Sequence, residues 1–145
     1  MNRVINIYIR KNGAYFIPRG ITSQGFPYGT EPFEYLPGNP ELQVLWEAAL
    51  KSLSNTNRVV PHPETSDVVL PWYIHAGVER WHDFASEAKA ISIKDIGTQF
   101  QFSPLRWDGR GFAGSAVLKQ TVDKNAGNEQ KLAALGEVVR KAMEI

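Results

Sequence analysis

At 145 residues, with 43% hydrophobic and 21% charged side chains, the chain has the length and composition of one ordinary globular domain. Lys and Arg number 16 against 15 Asp and Glu, a net charge of +1, which argues against a dedicated DNA-binding domain with its basic excess. The absence of cysteine excludes disulfides, thiolate metal sites and cysteine nucleophiles. No stretch approaches ~20 consecutive apolar residues, and the opening MNRVINIYIRKNGAYF lacks the long apolar run and small-residue cleavage site of a signal peptide, so the expected location is cytoplasmic.

Val4 to Ile9 is rich in β-branched residues and leads to Asn12-Gly13, the strongest short hairpin signal. Ala14 to Ile17 is then the returning strand, expected to stop at Pro18-Arg19-Gly20. Residues 20–38 are dense in Gly and Pro. They read as a loop with one extended piece, Pro32 to Leu36, ordered by Phe26, Tyr28, Phe33 and Tyr35. A helix follows, with Asn39 as N-cap and Pro40 at its first position. Leu42, Leu45, Trp46, Ala49, Leu50 and Leu53 recur at helical spacing. Each Leu buried there contributes roughly 1.5–3 kcal/mol, so this face is an anchor. Ser54 to Ser66 reads as an exposed connection, and Val68 to Ile74 starts like a strand but meets Pro71.

In the centre, Trp81, Phe84, Ala85 and Ala88 fall at i, i+3, i+4 and i+7, one apolar face of a helix. The period then drops to two. Ile91 and Ile93 alternate with polar residues, and after an Ile-Gly turn Phe100 and Phe102 do the same. Helix and hairpin each have one apolar side, so they are expected to share a core. Ser103 to Ser115 (SPLRWDGRGFAGS) reads as turns throughout, and Ala116 to Val122 leans towards strand. Glu129 to Met143 is a final helix, with Asn128 as candidate cap and Leu132, Leu135, Val139, Ala142 and Met143 as its stripe. The sum predicts one α+β domain over residues 1–145, a small, mainly antiparallel sheet packed against two or three helices.

Several residue groups suggest chemistry, and each has a plainer explanation. Gly109 to Gly114 matches G-x-G-x-x-G, but the motif needs a strand before it and a helix after it; the plainer reading is a glycine-rich turn. His75, Glu79 and His82 at i, i+4 and i+7 share a face on a continuous helix and could hold zinc; the plainer reading is a polar face beside the buried one. No G-x-S-x-G elbow is present, and nothing beyond their flanking of Pro32-Phe33 marks Glu31 and Glu34 as a catalytic pair. Arg10, Lys11 and Arg19 with the aromatic loop 26–35 could stack and neutralise a single RNA strand. Trp107-Asp108-Gly109-Arg110 is different. A Trp and an Arg on one turn make a binding hot spot, and Trp72-Tyr73 after Pro71 is a second candidate; in both cases the rings could equally plug the core edge.

The run Trp81-His82-Asp83-Phe84-Ala85 followed by Ala88-Lys89-Ala90-Ile91-Ser92-Ile93 resembles the core of small bacterial immunity proteins of contact-dependent growth inhibition systems. The N-terminal hairpin leading into Gly20-Ile21-Thr22 and the segment Leu135 to Ala142 are similar to that group too, so the resemblance covers about two-thirds of the chain. It rests on packing motifs. It implies a cytoplasmic non-enzyme, without a cofactor or metal, that binds and neutralises the C-terminal toxin domain of a cognate effector, commonly a nuclease. The interface varies from pair to pair, so no inhibitory residue carries over. From the residues themselves, the expected partner-binding positions are Trp107, Asp108, Arg110, Trp72 and Tyr73. The competing reading is a small RNA-binding or metal-dependent enzyme domain.

Overall fold

The computed structural model describes residues 2–65, 68–114 and 118–145. Strands β1 (Arg3–Arg10) and β2 (Gly13–Thr22) form the hairpin turned at Asn12-Gly13, with Arg10 opposite Gly13. β2 does not stop at Pro18. Proline lacks a donor but keeps its carbonyl, and here Pro18 lies opposite Ile5 while its oxygen accepts from the Thr30 N–H at 2.9 Å. The following segment holds β3 (Pro27–Gly29) and β4 (Glu34–Pro37), both antiparallel to β2, and β5 (Val59–Val60) pairs with the end of β2 in parallel.

β6 (Lys89–Asp95) lies against β1, and β7 (Gln99–Trp107) against β6. β8 (Phe112–Gly114) and β9 (Gln120–Asp123) divide the far edge of β7 between them. The centre of the sheet is thus β2–β1–β6–β7, all antiparallel. Among the described residues of the stretch 103–115, only positions 108–111 are a turn. β7 runs through Ser103 to Trp107, carrying a buried Pro104 opposite Ile91. The strand expected from Ala116 begins, among the described residues, at Gln120; Ser115, Ala116 and Val117 lie outside them.

Among the described residues four helices cover this sheet: α1 (Leu42–Leu53), α2 (Pro71–Ala76), α3 (Trp81–Ala85) and α4 (Asn128–Glu144). The α+β class with a mainly antiparallel sheet is as expected; the helix count rises because two are short pieces. One of them, α2, replaces the expected strand, with Pro71 starting a helix where it cannot serve a ladder. α1 starts after Glu41, two residues later than expected, and α4 is capped by Gly127; neither cap residue makes a side-chain cap bond. The Asn128 amide instead donates to Gln43 Oε1 at 2.8 Å, tying α4 to α1.

Alternation divides the side chains between two cores. On one face Ile5, Ile7, Phe16, Ile91, Ile93, Phe100 and Phe102 pack under Leu45, Trp46, Ala49 and Leu53 of α1 and Leu135, Val138 and Ala142 of α4. Leu42 and Leu50 stay substantially exposed, so the α1 stripe is narrower than its spacing suggests. On the other face Tyr8, Tyr15, Ile17, Ala90 and Leu105 pack with Trp72 and Tyr73 of α2 and Phe84 of α3. The central helix therefore shares a core with the hairpin after it only through Ala90 and Leu105, and not through the alternating apolar residues that mark the hairpin. α3 lies on one side of the sheet, and the isoleucines and phenylalanines of the hairpin point to the other. The period-two switch gave each element's apolar side but not which layer it faced.

Candidate functional site

The turn between β7 and β8 is built by its own residues. Asp108 N–H donates to the Gly111 carbonyl at 3.0 Å, and its Oδ1 accepts from the N–H groups of Arg110 at 2.8 Å and Gly111 at 2.9 Å. This is the local bonding that favours Asp in turns. Gly109, at φ 96°, takes the left-handed conformation that other residues resist. The hydrogen bonds from Gly111 and Arg110, with the nearby Arg110 charge, hold the Asp108 carboxyl below its ordinary range. The carboxylate is therefore charged and its direction fixed.

The base of the turn is aromatic. Trp81 opens α3, and its indole N–H donates to the Arg110 carbonyl at 2.8 Å. Its ring meets Trp107 at 6.1 Å, Phe112 at 6.2 Å and Tyr8 at 5.7 Å between centroids, in edge-to-face geometry. Trp107 also contacts Phe112 at 5.2 Å and the His82 ring at 5.8 Å. Asp108, Gly109 and Arg110 thus stand exposed on a rigid plate, with Trp107 half-buried beneath them. Sequence reasoning treated Trp81 only as core; its spacing on α3 hid its second task of pinning the turn. Beside the plate lies a groove of ≈ 590 Å³ lined by Val68, Val69, Tyr73, Glu79, Arg80, Trp81 and His82.

Trp72 and Tyr73 contribute little to that surface, Tyr73 only as part of the groove wall. They are 3% and 5% exposed and wall the second core, Trp72 beside Phe33 and Tyr73 against Phe84. Burial, with the neighbouring Tyr28 and Tyr8, pushes the Tyr73 hydroxyl up to about 12. Their rings plug the core and leave only a small exposed edge for any direct contact.

The structure also separates the other candidate groups. His75 ends in α2, Gly77 breaks the helix at φ 77°, and His82 lies in α3, so the three proposed zinc ligands share no helical face. The His75 Nδ1 is 2.7 Å from the Tyr15 hydroxyl. Gly109 to Gly114 runs from turn into strand, without the helix a pyrophosphate site needs. Arg10 donates to the carbonyls of Asp83 and Phe84 and lies 5.0 Å over the Phe84 ring, so it anchors α3. Glu34 pairs with Lys51 at 3.3 Å. Among the described residues no helix is long and apolar enough to cross a membrane.

No protein-family model matches the chain, and no curated protein matches its sequence. Solved structures that share its fold include the following two. One is a Neisseria meningitidis protein of unknown function, 13% identical, with a TM-score of 0.69 over 97% of this chain and 95% of the other. The other belongs to a CdiA-CT/CdiI toxin and immunity complex from Yersinia pseudotuberculosis, 11% identical, with a TM-score of 0.69 over 97% of both chains.

Proposed function

We propose that the chain is an immunity protein that binds and neutralises the C-terminal toxin domain, a nuclease, of a cognate contact-dependent growth inhibition effector in the cytoplasm of the protected cell. The carrying observation is the whole-chain likeness to a chain of a toxin and immunity complex, which agrees with the resemblance read from the residues. The surface supports it physically. A turn braced by its own bonds and an aromatic plate presents a fixed carboxylate beside an arginine on the same ordered backbone, which lowers the ordering cost of binding. The chain acts by occupying its partner, without a cofactor and without turning over a substrate. Trp107, Asp108 and Arg110 are the contact residues of this proposal.

Co-expression tests it. The toxin domain encoded by the gene directly upstream should arrest growth when produced alone and should not when this chain is produced with it. Continued arrest at matched expression, with the chain folded, would overturn the proposal.

A further inference from the structure

The second face of the sheet is only half covered. α2 and α3 lie over the row Tyr15, Tyr8, Ala90 and Leu105. The next two rows on that face are Ile17, Asn6, Ser92 and Ser103, then Val4, Lys94 and Gln101. All except the buried Ile17 and Val4 are polar and remain partly exposed. A strand face destined for a core would alternate apolar at these positions, as the opposite face does, so this half is built for contact with something polar.

Its charge is one-sided. A groove of ≈ 230 Å³ is lined by Asn6, Tyr8, Arg19 and Tyr28, and the larger groove beside Trp81 carries Arg80. Among the described residues Arg19, Arg80 and Lys94 form no ion pair. Among the described residues Glu79 is the one carboxylate of the two grooves and two rows. The adjacent Asp95 sits on the opposite face, already paired with Arg3 and Lys124. The net charge of +1 thus hides a local excess of cations with tyrosines between them, a composition suited to protein recognition.

We infer that this half-open face docks a carboxylate-bearing segment of the partner protein, with Arg19, Arg80 and Lys94 meeting its acids. The inference rests on the proposed function, since it names the chemistry of the same partner. Arg and Lys on an exposed face steer and orient such a segment, and their contribution falls as salt screens it.

The test is titration calorimetry of the upstream-encoded toxin domain into the wild-type chain, the Arg19→Glu/Lys94→Glu double variant, Arg80→Glu and Lys141→Glu, at two salt concentrations. The double variant and Arg80→Glu should weaken Kd at least tenfold and flatten its salt dependence, and Lys141→Glu on α4 should do neither. The neutral pair Arg19→Gln/Lys94→Gln, milder towards the fold, should fall between. Wild-type binding that all these variants reproduce would overturn the docking face and leave the immunity reading intact. An absence of wild-type binding would overturn both. Loss of single-stranded RNA binding in the variants, with toxin binding unchanged, would assign the face to RNA and also overturn the inference.

Discussion

The carboxyl of Asp95 is buried on the α4 side of the sheet, with Arg3 at 2.5 Å, Lys124 at 2.7 Å and the Gly97 N–H at 2.9 Å. Burial alone raises its pKa; hydrogen bonds from Lys124, Gly97 and Arg3, with the Arg3 charge, outweigh that and hold it below its ordinary 3.8. A carboxyl depressed in the folded state contributes stability that is complete above the unfolded pKa and lost as pH falls through the folded one. Asp95→Asn should therefore cost about 1–3 kcal/mol at neutral pH and flatten the loss of stability below pH ~4, read by denaturant titration across pH. An unchanged acid limb in the variant would show that other carboxyls carry it. At the turn, Asp108→Ala and Arg110→Ala should each weaken toxin binding by roughly fivefold or more with little change in the melting temperature. If both variants bind as the wild type does, the turn is structural only.

Among the elements, α3 is the one least able to stand alone. Its five residues contain little more than a turn of helix, far below the length at which an isolated helix persists. Arg10 holds it through two carbonyls and the Phe84 ring. Arg10→Ala should speed amide exchange at Phe84, Ser86 and Ala88 while leaving Ile7 and Ile91 in the central strands protected, as local opening would. Equal acceleration everywhere would mean that Arg10 stabilises the whole fold and not α3. Such elements explain what the sequence did and did not disclose. The strands β1, β6 and the start of β7 were legible because alternation at Ile5, Ile7, Ile91, Ile93, Phe100 and Phe102 is a local property. α1 and α4 were legible for the same reason at helical spacing. β8 and the second half of β7 were not, because Pro104, Gly109, Gly111 and Gly114 all signal turns, while tertiary pairing keeps Pro104 and Gly114 in the ladder and confines the turn to positions 108–111. The turn at Trp107 to Arg110 could be read, whereas the inward aim of Trp72 and Tyr73 depended on a helix that no periodicity announced.

At the scale of the whole molecule, two helices close one face of the sheet, and two short ones close half of the other. The closed face supplies most of the large buried apolar side chains, among them three phenylalanines, Trp46 and Ile5, Ile7, Ile91 and Ile93. The half-closed face combines an aromatic plate, a rigid turn and polar rows, and on the proposed function it is the side that meets the partner. That division suits a protein whose task is to present a preformed surface, because rigid partners lose little entropy on docking. Titration of the purified chain with the toxin domain encoded directly upstream tests this most directly. A 1:1 complex with Kd near nanomolar, about −12 kcal/mol, and loss of toxin activity at equimolar ratio is the expected result. A folded chain that releases no heat, forms no complex by size-exclusion chromatography and leaves the toxin active would contradict it.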